Sequence, residues 1–219
     1  MKEQSKWVSE DINQSILMGV RGVINQHMTA FKNADHAREL DRKIQVEQAA
    51  LEKQYASWVV DDPSKFHLRF MCLLLAGYHV LQSVLPKEDA LALLKKAAIE
   101  PSREDILQGV RYALDYATDP MTVLTDASKE REEEFFGQTF TFERIQDDNN
   151  AYLLHVRGCF YHKFAVENQA PELMQILCAW DWSWADAIQP EKDGFKFELP
   201  TTLGFGDDVC RFYFRRNTR

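Results

Sequence analysis

Three cysteines in the last third of the chain each have a polar or glycine-rich segment close by. The segments read Cys159-x-x-His162, Cys178-x-x-Asp181 and Gly204-Phe205-Gly206-Asp207-Asp208-Val209-Cys210. Thiols, an imidazole and a carboxylate are the groups that nucleophilic catalysis or metal binding uses. We therefore expect the functional site to be built from Cys159, His162, Cys178, Asp181 and Cys210.

The spacing within two of these segments is helical. Residues three apart lie on one face of a helix, so Cys159 would point the same way as His162, and Cys178 the same way as Asp181. An imidazole within hydrogen-bonding distance can generate a thiolate. The strand-like pattern around Cys210 fits packing in the core and a functional role equally well.

The second of these segments lies in an aromatic setting. The expected core stripe of its helix consists of Leu173, Leu177, Trp180 and Trp184, and Cys178 and Asp181 flank that stripe. Trp182 falls on the opposite side of the helix, where it would line a ligand site or a homodimer interface. We expect these residues to form the wall of a pocket.

A metal centre is the alternative use of the same residues. The thiols, His162 and Asp181 supply enough ligands for zinc or iron. The sequence contains no C-x-x-C pair, however, and the spacing matches no standard zinc site. A cysteine nucleophile without a metal or other cofactor is therefore favoured over a metal site.

The overall composition limits the classes of protein to which the chain can belong. The net charge of -8 argues against a nucleic-acid partner, because phosphates require a basic face. The most apolar stretch, Phe66 to Leu85, is interrupted by histidines and an arginine and predicts a buried helix rather than a membrane span. Four widely spaced cysteines without a secretory signal predict reduced thiols in the cytoplasm.

The periodicity divides a single expected domain, 1–219, into two parts. Residues 1–137 have helical periodicity, with helices expected over 9–31, 35–59, 66–85, 87–99 and 102–116. The run Lys129-Glu130-Arg131-Glu132-Glu133-Glu134 is most simply a solvated helix face. In residues 138–219, a β-hairpin, helices over 159–168 and 171–188, and two further strands are expected. This order predicts an α+β fold with an antiparallel sheet.

Several of these segments together carry a family resemblance. The chain resembles the L-2-amino-thiazoline-4-carboxylic acid hydrolase family in Arg157-Gly158-Cys159-Phe160-Tyr161, in Pro171-Glu172-Leu173, in Cys178-x-x-Asp181, and from Thr202 to Phe212. The resemblance covers roughly the last 80 residues. The final segment is also similar to the end of 4-vinyl reductase-type ligand-binding domains. The resemblance implies a cytoplasmic enzyme that opens a small ring containing sulfur and nitrogen, with water as the second substrate.

These residues suggest a mechanism for such an enzyme. Cys159 or Cys178 would attack the ring carbon as a thiolate, His162 would take the thiol proton, and Asp181 would protonate the leaving group. Four residues would bind the substrate: Arg157, Trp180, Trp182 and Trp184. Three alternatives remain open at this point: a cyclase or lyase of the same family, a protein that binds a small molecule in an aromatic pocket, and a structural homodimer.

Overall fold

The N-terminal part of the protein is helical. A computed structural model describes residues 10–217. Over these residues the long helices are α1 (Glu10–Phe31), α2 (Ala34–Gln54), α3 (Asp62–Leu81), α4 (Lys87–Asp115) and α5 (Pro120–Arg131). A 3₁₀ turn follows α2 at Ala56–Trp58, and α5 runs into a π-helical turn, Glu132–Phe136, and a 3₁₀ turn, Gly137–Thr139.

Helix α3 is the centre of the helical part. Almost every residue from Phe66 to Leu81 is buried, Cys72 among them, so the predicted buried helix is confirmed. The helix begins with a capping box in which the Asp61 carboxylate accepts a hydrogen bond from the Ser64 backbone. That cap satisfies an N–H that would otherwise lack a partner in the first turn.

Helix α4 corrects the prediction of two separate helices over 87–99 and 102–116. The chain remains helical through Pro101, although a proline lacks the N–H that an internal turn requires. Tertiary packing explains the difference, because α1 lies against the proline ring at Gly19. A Cβ on Gly19 would come within 2.9 Å of the Pro101 Cβ, so the absence of a side chain permits this contact.

The C-terminal part contains the predicted hairpin and sheet. In the described residues, β1 (Thr141–Asp147), β2 (Ala151–Gly158), β3 (Phe195–Glu198) and β4 (Cys210–Arg216) form an antiparallel sheet of order β1-β2-β4-β3. In the hairpin turn, the Asp148 carboxylate accepts hydrogen bonds from two backbone amides. The predicted α+β class is confirmed.

Short helices connect the strands. They are α6 (Phe160–Glu167), α7 (Met174–Asp181) and α8 (Pro190–Asp193), with 3₁₀ turns at Pro171–Leu173, Ser183–Ala187 and Leu203–Phe205. Of the single helix expected over 171–188, only Met174–Asp181 is therefore α-helical. No helix within residues 10–217 is long and apolar enough to cross a membrane.

Candidate active site

A cavity of about 630 Å³ lies between the helices and one face of the sheet. The sheet forms one wall of the cavity, because every second residue of a strand points to the same face. Val156 pairs with Cys210, and Leu154 pairs with Phe212 across β2 and β4. All four of these residues line the cavity. Helices α1, α4, α5 and α7 contribute the opposite wall.

The three cysteines of the sequence motifs meet in this cavity. Cys159 precedes the first turn of α6, Cys178 lies on α7, and Cys210 is the first residue of β4. All three line the cavity, together with Asp181. Burial raises the pKa of Cys159, and repulsion from the other two thiols and from Asp181 raises it further, so Cys159 lies within electrostatic reach of the other three groups.

Backbone amides accompany the thiols. The amide of Leu203 donates to the Cys210 Sγ atom at 3.2 Å. The amides of Gly204 and His162 act on Cys178 and Cys159 and favour their thiolate forms. Two of these three amides belong to one 3₁₀ turn, Leu203–Phe205, which therefore interacts with two thiols at once.

Glycine is required within this turn. A Cβ atom on Gly204 would lie 2.6 Å from the Cys178 Sγ atom and 2.9 Å from the Cβ atom of Met174. Real Cβ atoms do not approach other atoms so closely. The Gly204-Phe205-Gly206 segment therefore serves close packing against a thiol.

Burial opposes ionisation of all three thiols. It raises the pKa of Cys210 to about 11 and that of Cys178 to about 12, and it raises the pKa of Cys159 further still. The nearby amides work in the opposite direction and do not overcome burial. The resting thiols are therefore protonated at neutral pH, and any attack by sulfur requires a base.

Asp181 is a carboxyl group that lines the cavity together with the thiols and acts electrostatically on all three. Burial raises the pKa of its carboxyl group, and the neighbouring Arg131 opposes that shift. The Arg131 guanidinium lies 3.3 Å from an Asp181 oxygen, and each side chain is only about one fifth exposed. A carboxyl group with a raised pKa can both accept and return a proton during catalysis.

The position of Arg131 corrects part of the sequence analysis. The run from Lys129 to Glu134 was expected to be a solvated face, but Arg131 and Glu132 line the cavity. Glu132 is 8% exposed and accepts hydrogen bonds from Arg144 and from the Tyr152 hydroxyl. The expectation is wrong for these two residues because tertiary partners compensate their buried charges.

Tyr161 and His67 form a buried polar pair that sequence reasoning missed. The Nε2 atom of His67 lies 2.9 Å from the Phe135 carbonyl oxygen, so this nitrogen carries the proton. The Tyr161 hydroxyl therefore donates to Nδ1 of the neutral ring, at 2.8 Å. Tyr161 lines the cavity, and its oxygen retains the capacity to accept a hydrogen bond from a ligand. The sequence signal was weak, since the two residues are 94 positions apart.

Thr202 adds a second polar group at the thiol end of the cavity. Its side chain is 5% exposed, and its Oγ1 atom has no hydrogen-bond partner among the described residues. Thr202 lines the cavity immediately before the turn that contacts Cys178 and Cys210. A buried hydroxyl without a partner is costly unless a ligand or a water molecule satisfies it.

The other predicted site residues divide into two groups. Trp180, Trp182 and Trp184 all line the cavity, because the change from α-helix to 3₁₀ turn after Asp181 redirects the last two side chains. Within the described part of the chain, the lining includes neither His162 nor Arg157. The Arg157 side chain instead pairs with Glu143 at 2.8 Å.

Metal binding is the alternative use of these residues. Among residues 10–217, the His, Cys, Asp and Glu side chains form no group of three or more that is arranged to hold a metal ion. The cavity thus brings together four of the five predicted catalytic residues, in an arrangement that permits thiol and carboxyl chemistry.

Comparison with known proteins agrees with the sequence resemblance. A model of the L-2-amino-thiazoline-4-carboxylic acid hydrolase family matches residues 65–214. The match begins within α3, well before the last 80 residues on which the resemblance rested. No curated protein and no solved structure matches the chain. Because the matched region covers more than half of the sequence and contains the three thiols and Asp181, the chain belongs to the L-2-amino-thiazoline-4-carboxylic acid hydrolase family.

Proposed function

We propose that this protein is a hydrolase that opens a small ring in which one carbon is bonded to sulfur and two nitrogens, as in aminothiazoline carboxylate. One observation carries the proposal: three thiols and a partly buried carboxyl group line a single cavity in a chain that belongs to this family. The ring carbon is electrophilic, a thiol is a strong nucleophile once deprotonated, and a carboxyl group can transfer the protons.

Cys210 is the proposed nucleophile. Its Sγ atom accepts the Leu203 amide at 3.2 Å, and this contact stabilises negative charge on the sulfur. Burial raises its pKa less than those of Cys159 and Cys178, so its thiolate is the least costly of the three to form. The Leu203 contact and the smaller pKa rise together support Cys210 as the nucleophile in place of Cys159 or Cys178, the two thiols that the sequence had favoured.

Asp181 is the proposed proton carrier. Its carboxyl group shares the cavity with the thiols, whereas the His162 side chain is not among the described lining groups. Burial raises the pKa of Asp181, and Arg131 acts in the opposite direction, toward the ionised form. The role of proton acceptor, which the sequence suggested for His162, therefore passes to Asp181 in this mechanism.

The proposed reaction begins with a ring-opening step. The Asp181 carboxylate takes the Cys210 proton as Sγ bonds to the ring carbon, and the electron pair of the C=N bond moves to nitrogen. The bond between that carbon and the ring sulfur then breaks, and the ring sulfur takes the proton from Asp181 and leaves as a thiol. The result is an isothiourea joined to Cys210.

Hydrolysis completes the cycle. Water adds to the same carbon while Asp181 accepts one of its protons, the remaining hydroxyl proton moves to the former ring nitrogen, and the bond from carbon to Sγ breaks. Asp181 returns that proton to Cys210. The product is a urea that carries a free thiol, and one water molecule is consumed. Thr202 and Tyr161 would supply hydrogen bonds to the ring substituents, and Trp180 would present an aromatic face to the flat ring.

The test combines turnover with trapping of the intermediate. Purified wild-type protein is incubated with L-2-aminothiazoline-4-carboxylate, and free thiol released from the ring is measured with a chromogenic disulfide. We expect Cys210→Ala and Asp181→Asn to lower turnover at least about 100-fold, as for loss of a nucleophile or a general base. Cys72→Ala is the matched control, because Cys72 is buried outside the cavity.

Mass spectrometry provides the second measurement. Acid quenching during turnover should yield a Cys210 peptide that carries the added isothiourea. An adduct on Cys159 or Cys178 would reassign the nucleophile. Full turnover by both Cys210→Ala and Asp181→Asn would refute the mechanism.

A second candidate function is binding of a small molecule without turnover. The raised pKa values of the thiols favour it, because neutral thiols at neutral pH are poor nucleophiles. Saturable binding of the same compound without thiol release would support this alternative.

A further inference from the structure

We infer that the physiological substrate of this cavity is larger than aminothiazoline carboxylate: a ring that carries a bulky apolar substituent, joined through a neutral amide or ester where the free acid has its carboxylate. This inference rests on the proposed ring-opening function. It follows from the size, the shape and the charge of the cavity.

Size is the first argument. Aminothiazoline carboxylate has about nine non-hydrogen atoms, and one water-sized group occupies about 30 Å³ of liquid. The free acid would therefore fill less than half of the 630 Å³ cavity. Cavities of about 300–1,000 Å³ are typical of sites that enclose drug-sized ligands. The remaining space would have to hold water against an apolar wall.

The unfilled space has a definite position. The three thiols pack against one hydrophobic cluster, whereas the lining residues Val110 and Leu124 belong to a second cluster with Phe214. Phe214 lies four residues along β4 from Cys210, a distance of about 13 Å, so α4 and α5 contribute a wall distant from the thiols. Gly109, the lining residue next to Val110, is exposed, so the cavity approaches solvent at this wall. A substituent on a ring held at the thiols would therefore extend along aliphatic side chains toward the surface.

Charge is the independent argument. The charged side chains that line the cavity in the described residues are Asp105, Arg131, Glu132 and Asp181. The only cation among these four, Arg131, already pairs with Asp181, and Glu132 pairs with Arg144 outside the lining. A substrate carboxylate would add negative charge to a wall with three acids and one base. A neutral amide or ester avoids that repulsion.

The experiment measures binding separately from reaction. The probes are 2-aminothiazole-4-carboxylic acid and its N-ethyl, N-butyl, N-hexyl and N-octyl amides, whose aromatic ring resists opening. Isothermal titration calorimetry gives their dissociation constants. We expect each amide to bind more tightly than the free acid, with a gain of about fourfold for each buried methylene.

Two variants test where the substituent lies. Gly109→Phe and Ala127→Phe add bulk to the distant wall from α4 and α5. We expect each to weaken octyl amide binding at least tenfold and to leave ethyl amide binding unchanged. Gly22→Phe is the matched control: like Gly109 it is an exposed helical glycine with open space at its Cβ position, but it does not line the cavity.

The outcomes separate this inference from the proposed reaction. Affinity that is independent of chain length, or tightest binding by the free acid, would overturn the substrate class even if the free aminothiazoline acid is hydrolysed. Octyl binding that survives both Phe variants would overturn the placement of the substituent. Chain-length dependence without opening of the corresponding aminothiazoline amides would refute the reaction and leave the apolar binding site standing.

Discussion

Replacement of Gly204 by alanine is the sharpest test of how the thiols are arranged. The new Cβ atom would lie 2.6 Å from the Cys178 Sγ atom and 2.9 Å from the Met174 Cβ atom. Favourable contacts between such atoms lie at about 3.5–4.0 Å, so the turn or the thiol must move by about 1 Å. Both neighbours belong to α7, and the adjacent Leu203 amide holds Cys210, so the displacement would reach two thiols.

The expected cost is that of overpacking a well-filled interior. Such substitutions lower the free energy of unfolding by about 1–3 kcal/mol, and we expect about 2 kcal/mol for Gly204→Ala. Turnover should fall about tenfold or more, because a misplacement of about 1 Å at a reacting group has effects of this size. Urea unfolding and the thiol-release assay measure the two effects.

A double-mutant cycle identifies the cause. Cys178→Ala removes the sulfur atom, so Gly204→Ala should cost at least about 1 kcal/mol less in that background. Gly22→Ala is the control, because its Cβ would meet nothing within 4 Å in an exposed helix. This substitution should raise the free energy of unfolding by about 0.5–1 kcal/mol. A Gly204→Ala cost below about 0.5 kcal/mol, or additive effects in the cycle, would refute the close contact.

Three further predictions concern protonation. Arg131→Gln removes the group that lowers the pKa of Asp181, so the acidic limb of the kcat/KM profile should move to higher pH; an unmoved limb would argue against Asp181 as the base. Burial lowers the pKa of His67 from 6.5 to about 4, so stability is lost as pH falls below 6.5. In urea unfolding, the free energy of unfolding should fall by about 2 kcal/mol between pH 7 and pH 5, and the His67→Gln variant should not show this fall. Iodoacetamide at pH 7.5 should modify the native cysteines at least about 100-fold more slowly than free cysteine, with Cys210 first by mass spectrometry; rapid alkylation of Cys159 would contradict the burial argument.

Local pattern was a reliable guide where one segment determines its own structure. The pattern of residues 138–219 predicted the β-hairpin, and the apolar stretch of α3 predicted a buried helix. Pro101 shows the limit of this reasoning. Its local effect is to end a helix, yet contact with Gly19 on another helix keeps α4 continuous.

The candidate site shows a similar division. The residue types and their spacing singled out Cys159, Cys178, Asp181 and Cys210, because thiols and carboxylates are conspicuous in any sequence. Long-range partners carried no such signal: Arg131 belongs to a charged run that resembles a solvated helix face.

The sequence by itself determined which groups could do chemistry, because reactivity depends on side-chain type. It also determined the α+β class, because apolar residues recur at a different spacing in helices and in strands. Only the tertiary structure decided that the three thiols and Asp181 share one cavity while His162 and Arg157 do not line it. It also decided the protonation state of each thiol, because the pKa of a thiol depends on its burial and on the backbone amides that the fold brings next to it. The size and charge of the cavity arise from helices and strands far apart in the chain, so they too depend on the assembled fold.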